Sequence, residues 1–331
     1  MGRAAVDEIH EQLRTVYAGL PPLTFVPRRL WWQRVMFGLF GRSRCVPGVR
    51  ARDRAVGSRA AGEVGVRVYL PEGELERGPG PALLWFHGGG LIIGRPRVDE
   101  RRCSEFARDL AMPVVSVRYR LAPRHPFPAA LDDALAAWTW LVSAGAAELG
   151  VDPARVAVGG ESAGGGLAAC LAQRLADGDR GQPRAQVLIY PMLDDRTASR
   201  RELDALDHAL WNNRSNHTGW SAYLGAEPGG EGSKAPPAYA SAARRLDAAG
   251  GLQGLAPAWI GVGTHDLFWD ECLAYAAGLD AAGVECKLER VVGGFHGFPT
   301  LAPKLPLSRA FHRAQVEFLR ERLSPLEGAE P

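Results

Sequence analysis

Arg155-Val156-Ala157-Val158-Gly159-Gly160-Glu161-Ser162-Ala163-Gly164-Gly165 is the stretch on which the fold turns. Residues 155–159 form a short apolar run bounded by glycine, which reads as a buried strand. The run beginning Leu167-Ala168-Ala169 and extending to about residue 177 reads as a helix. Between them Gly160 to Gly164 matches G-x-S-x-G, with a strand before it and a helix after it. The chemistry explains the residue types. A serine on a very sharp turn projects its hydroxyl from the sheet, and Gly160 and Gly164 leave room for the crossing backbones. The free N–H groups of the helix start then favour negative charge developing at the serine. A tight structural turn with an inert serine is the rival reading.

Working outward, further strands are expected at 50–56, 64–70, 82–86, 114–118, 185–190, 258–262 and 286–292. The first two are amphipathic, with no helix between them, so the sheet should start antiparallel. The middle ones are nearly all apolar, as in parallel strands covered on both faces. Helical patterns lie at 98–110, 129–148, 163–177, 270–282 and 309–323. The alternation predicts a doubly wound α/β sheet. Two regions break the rhythm: residues 1–45, and residues 194–256, helical over 201–224 and then broken by the Gly/Pro-rich 225–237. An insertion at the carboxyl ends of strands lies where ligands bind in such sheets. The expected division is therefore 1–45 and 194–256 as two parts of a cap, with 46–193 and 257–331 as the two parts of the core. Residues 71–81 read as a surface loop and 324–331 as a tail.

Leu83-Leu84-Trp85-Phe86 ends in His87-Gly88-Gly89-Gly90. Glycines there let backbone N–H groups turn inward toward a tetrahedral oxyanion, where one donor is worth roughly 10²–10³ in rate. Gly88, Gly89, Gly90 and the N–H of Ala163 are the expected donors, and His87 is expected to brace the loop. A phosphate-binding loop is disfavoured, because neither G-x-x-x-x-G-K nor G-x-G-x-x-G occurs in context. With G-x-S-x-G the triad order is Ser, Asp/Glu, His. Only His296 and His312 lie late enough. His296 sits on the Gly-rich loop after the last strand, whereas His312 lies in a helical pattern, so His296 is the expected base. Asp266, after the seventh strand, is the expected acid. Asp270 and Glu271 compete but should start a helix; Asp194 and Asp195 lie after the sixth strand.

The blocks His87 to Gly90, Tyr119-Arg120-Leu121-Ala122-Pro123 with His125 to Ala130, Gly160 to Gly165, Asp266 with Asp270-Glu271, and Phe295-His296-Gly297-Phe298 occur in that order from about residue 80 to 300. Together they resemble the hormone-sensitive-lipase-like esterases. The resemblance implies an α/β-hydrolase fold: a mostly parallel eight-stranded sheet, helices on both faces and a helical cap. It also implies hydrolysis of short- to medium-chain acyl esters without cofactor or metal, with Ser162, Asp266 and His296 as the triad. Relatives are often homodimers. The chain departs from the family pattern at Arg124, where an acid is usual, at Leu267, where proline is common, and at Gly166, where asparagine is common. The alternatives are an amidase or deacetylase of small acylated compounds, or a non-catalytic binding protein on the same fold. Expected pocket residues are Leu91 and Ile92 beside the glycine loop, and Trp31, Trp32, Leu210 and Trp211 from the cap.

Composition excludes other classes. The 331 residues are 46% hydrophobic and 23% charged with net charge +2, ordinary for a globular chain. No basic block with interleaved aromatics points to nucleic acid. Cys45, Cys103, Cys170, Cys272 and Cys286 are widely spaced and form no C-x-x-C pair, which argues against a disulfide framework or a zinc site. Residues 1–20 lack the apolar core of a signal peptide, and no apolar run reaches membrane-spanning length, so a cytoplasmic location is expected. Residues 28–40 form an Arg-flanked amphipathic segment with Trp31, Trp32, Val35, Met36, Leu39 and Phe40. Packing on the protein itself is the simpler reading, and lying on a membrane surface the alternative.

Overall fold

The computed structural model describes residues 4–40, 44–58, 62–73, 79–178, 180–248 and 250–325. The loop expected at 71–81 and the tail at 324–331 fall partly outside the described residues, as do the side chains of Met36, Leu39 and Phe40.

All eight expected strands form: β1 Val49–Ser58, β2 Gly62–Pro71, β3 Gly80–Phe86, β4 Val114–Arg118, β5 Val151–Glu161, β6 Gln186–Ile189, β7 Ala258–His265 and β8 Cys286–Phe295. They make one sheet in the order β1-β2-β4-β3-β5-β6-β7-β8. β2 pairs antiparallel with both neighbours, and every other pairing is parallel. The helices are α1 Arg14–Ala18, α2 Leu30–Phe40, α3 Glu100–Asp109, α4 Ala129–Leu141, α5 Ala144–Leu149, α6 Ala163–Ala176, α7 Asp195–Ser199, α8 Asn213–Leu224, α9 Trp269–Ala281, α10 Phe298–Leu301 and α11 Pro306–Leu323.

The central strands are apolar because both faces are covered. Leu83, Leu84, Trp85 and Phe86 are fully buried on β3, as are Val156, Ala157 and Val158 on β5. Each large side chain so buried is worth about 1.5–3 kcal/mol. After β3 the chain runs outward to β4 and returns on the other side of β3 as β5. That reversal opens a crevice at the carboxyl ends of β3 and β5.

Two helical expectations are corrected. The pattern over 129–148 divides into α4 and α5, because Ser143 leaves helical geometry at φ −127° and ψ −105°. Over 201–224 only Arg201–Ala205 (3₁₀) and Asn213–Leu224 (α8) are helical. Asn212 starts α8 by accepting from the Ser215 N–H at 3.0 Å, and Leu210 takes φ 65°. The intervening chain is therefore turned inward instead of wound.

Candidate active site

Four strand ends deliver the expected residues to one edge of the sheet: the His87 loop after β3, Ser162 after β5, Asp266 after β7 and His296 after β8. Ser162 is held at φ 55° and ψ −123°. Its N–H donates to Ile189 at 2.8 Å, and its carbonyl accepts from Gly166 and Met192 at 3.1 and 3.0 Å. A left-handed φ on a residue with a Cβ costs of order 1–3 kcal/mol and persists only where the surroundings over-determine it. The glycines permit the turn. A Cβ on Gly164 would stand 2.1 Å from the Phe86 carbonyl oxygen, and one on Gly160 would stand 2.3 Å from the Gly164 carbonyl carbon.

His296 Nε2 lies 3.0 Å from Ser162 Oγ, and His296 Nδ1 lies 2.8 Å from Asp266 Oδ2. The second Asp266 oxygen accepts from the Phe268 N–H at 2.9 Å, so the carboxylate cannot swing away. Tyr190 and Phe268 wall the imidazole at ring-centroid distances of 4.7 and 5.3 Å. With Asp266 accepting at Nδ1–H, Nε2 is left to accept from the serine hydroxyl. The competing carboxylates go elsewhere. Asp270 is exposed and pairs with Arg200 at 3.3 Å. Glu271 is buried, accepting from the Leu193 N–H and the Thr197 hydroxyl. Asp194 caps α7, and Asp195 pairs with Arg244. His312 pairs with Asp109 at 2.9 Å.

Gly88 and Gly89 line a cavity of about 250 Å³ together with Ser162 and His296. Gly89 adopts φ 121°, where a Cβ would meet the Ile93 carbonyl oxygen at 2.3 Å. The N–H groups of Gly88, Gly89 and Ala163 take no hydrogen bond among the described residues. Gly90 is different: it faces Trp211, whose ring would meet a Cβ there at 2.0 Å, and it does not line the cavity. Its smallness serves packing.

His87 braces the loop as expected. Its Nδ1–H donates to the Gly88 carbonyl at 2.8 Å, its ring stacks on Tyr119 at 4.2 Å, and the Tyr119 hydroxyl donates to its carbonyl at 2.6 Å. Full burial pushes its pKa down from the ordinary 6.5 to about 4. The native state therefore stays unprotonated where the unfolded chain binds a proton. Stability from this group is complete above pH 6.5 and is lost as pH falls toward 4, by up to about 3 kcal/mol. Urea midpoints measured from pH 7 downward should fall over that window, and less steeply in His87→Gln. An equal slope in both proteins would contradict this assignment.

Glu161, inside the motif but unremarked in the sequence, is buried directly before Ser162. It accepts from the Tyr190 and Thr300 hydroxyls at 3.0 and 3.1 Å and pairs with Arg102 at 3.2 Å. Burial opposes its ionisation, but Arg102 and these donors outweigh burial and hold its pKa below the usual value. Its neighbour Asp99, bonded by the Trp85 indole at 2.7 Å, is driven well above the carboxylate range by burial and by the Glu161 charge. The x of G-x-S-x-G carries no constraint in the motif, so nothing in the sequence separated Glu161 from a surface residue.

The pocket expectations divide. Leu210 and Trp211 line the cavity. Leu91 and Ile92 are buried, but the next residue, Ile93, supplies the lining. Trp31 and Trp32 are corrected: they are 69% and 51% exposed and lie outside the lining, because α2 turns Leu30 inward and its tryptophans outward. Leu23, Phe25, Tyr190 and Leu301 complete the apolar wall. The N-terminal segment is tied to α8 by Asn212 Nδ2 donating to Leu23 and Thr24, and by the Phe25 N–H donating to Ser215 Oγ at 2.9 Å. Among the described residues no helix is long and apolar enough to cross a membrane.

The alpha/beta hydrolase fold family matches residues 83–300. Carboxylic ester hydrolase LipN of Mycobacterium tuberculosis is 37% identical over 269 residues, spanning 80% of this chain and 68% of that protein. Ethyl acetate hydrolase of Pseudomonas putida is 35% identical over 250 residues, 74% of each chain. Among solved structures, bacterial heroin esterase superposes with a TM-score of 0.84 at 32% identity, over 97% of this chain and 100% of that one. Esterase LipW from Mycobacterium marinum gives 0.82 at 34%, over 97% and 98%. A family match over residues 83–300, with relatives of this identity and coverage, shows that the chain belongs to the hormone-sensitive-lipase-like carboxylesterase family of the α/β-hydrolase fold.

Proposed function

We propose that the protein is a serine carboxylesterase that cleaves short- to medium-chain acyl esters through an acyl-enzyme on Ser162. The observation that carries the reading is the continuous relay from Ser162 Oγ through His296 to Asp266, at 3.0 and 2.8 Å, opening into an apolar cavity. His296 Nε2 takes the hydroxyl proton as Oγ attacks the ester carbonyl. Asp266 stabilises the resulting imidazolium. The N–H groups of Gly88, Gly89 and Ala163 receive the oxyanion, with the α6 N-terminus behind them. Collapse transfers the proton from His296 to the leaving alcohol. Water then enters by the same relay in reverse and frees the acid. We assign the described residues of 1–45 and 194–256 to a cap, supported by the Leu23, Phe25, Leu210 and Trp211 wall and by the hydrogen bonds between those segments.

The cavity of about 250 Å³ is below the common range of roughly 300–1,000 Å³ for small-molecule sites. Across p-nitrophenyl esters from acetate to palmitate, kcat/KM should peak among the shortest chains and fall at least about tenfold by the long ones, since each methylene without room is worth about 1–3 kcal/mol. A maximum at palmitate would contradict the reading. Activity on aryl amides with none on esters would move the assignment to an amidase.

A further inference from the structure

Beside the cavity over Ser162 lies a second one of about 350 Å³, reached by Arg34, Arg95, Arg124 and His125 and by no carboxylate. Ile93 and Val98 line both cavities, so the two adjoin at these side chains. Arg34 enters from α2, and its Nε donates to the Ile92 carbonyl at 2.7 Å and its Nη2 to the Ala122 carbonyl. Both acceptors are backbone, and neither Arg34 nor Arg124 has an ion-pair partner among the described residues. Arg34 is half-buried and Arg124 exposed, whereas the buried guanidinium groups meet carboxylates, Arg67 with Glu100 and Arg102 with Glu161. Burial lowers the Arg34 pKa, the mark of a cation losing water without gaining a counter-charge. Arg34 and Arg124 both border this cavity and no carboxylate does, so an anion entering it meets two cations. Planar guanidinium groups suit a carboxylate in particular.

We propose that this second cavity is a subsite for a carboxylate carried by the ester substrate, so that half-esters of dicarboxylic acids are preferred over neutral esters of equal length. The inference rests on the ester-hydrolase reading and names its substrate class. Monoethyl adipate and ethyl hexanoate form the test pair. Charge-assisted hydrogen bonds of this kind correspond to about ten- to hundredfold. The expected result is a kcat/KM at least about tenfold higher for monoethyl adipate, with the preference reduced about tenfold by Arg124→Glu, chiefly through KM. A preference for hexanoate, or a charged-to-neutral ratio unaltered by Arg124→Glu, would overturn it. Calorimetry on Ser162→Ala reads the subsite without turnover. Monoethyl adipate should bind Ser162→Ala more tightly than Ser162→Ala/Arg124→Glu, and equal affinities would overturn the subsite even if no ester were hydrolysed. Loss of all ester hydrolysis in the native enzyme, with adipate binding still dependent on Arg124, would instead strike the ester-hydrolase reading alone.

Discussion

Ser162→Ala is expected to lower kcat for a short-chain p-nitrophenyl ester by roughly 10⁶, the loss typical of removing the serine from a triad. The oxygen that would carry the acyl group is gone, and His296 Nε2 loses its partner at 3.0 Å. The residual rate comes from binding and the oxyanion donors, which the substitution leaves in place. Fold should be retained. Alanine has the same Cβ, so the backbone at φ 55° bears the strain it already bears. The hydrogen bonds to Ile189, Gly166 and Met192 are backbone bonds. Steady-state kinetics with a parallel thermal melt checks both statements. Activity within tenfold of the native enzyme would remove Ser162 from the chemistry.

Asp266→Asn is expected to cost about 10⁴ in kcat. An amide at this position can donate to Nδ1, which stabilises the tautomer carrying its proton on Nε2, the wrong one for accepting from Ser162. It also withdraws the negative charge that would stabilise the imidazolium. Asp270→Asn supplies the contrast. Its carboxylate is 71% exposed and meets Arg200 at 3.3 Å, a surface pair worth about 0–1 kcal/mol. Turnover should stay within about twofold. A larger loss in Asp270→Asn than in Asp266→Asn would reassign the acid.

The strand plan was legible because apolar runs mark strands buried on both faces, and the middle of this sheet is built from them. β2 was legible for another reason: Val64, Val66 and Val68 alternate with Arg67 and Tyr69. Period alone could not show that the polar face is also buried, with Arg67 and Tyr69 both hydrogen-bonded to Glu100 on α3. That Ser162, Asp266 and His296 would meet was legible because each comes after a strand in a fixed order. The pocket was harder. Whether Trp31 or Leu210 faces the cavity depends on how irregular chain is held by single contacts such as Asn212 to Leu23 and Thr24. Large apolar side chains on α2 therefore read as lining when they are exposed. Leu23 and Phe25 carried no periodic signal at all, and Glu161 stood at a position its motif leaves free.

Titration with a fluorophosphonate is the most direct test of the central claim, because it reports on the serine itself and not on any one substrate. The expected result is loss of esterase activity in proportion to one covalent equivalent, with the label on the peptide containing Ser162 and none taken up by Ser162→Ala. Full labelling at another residue, or activity retained with Ser162 fully labelled, would contradict it.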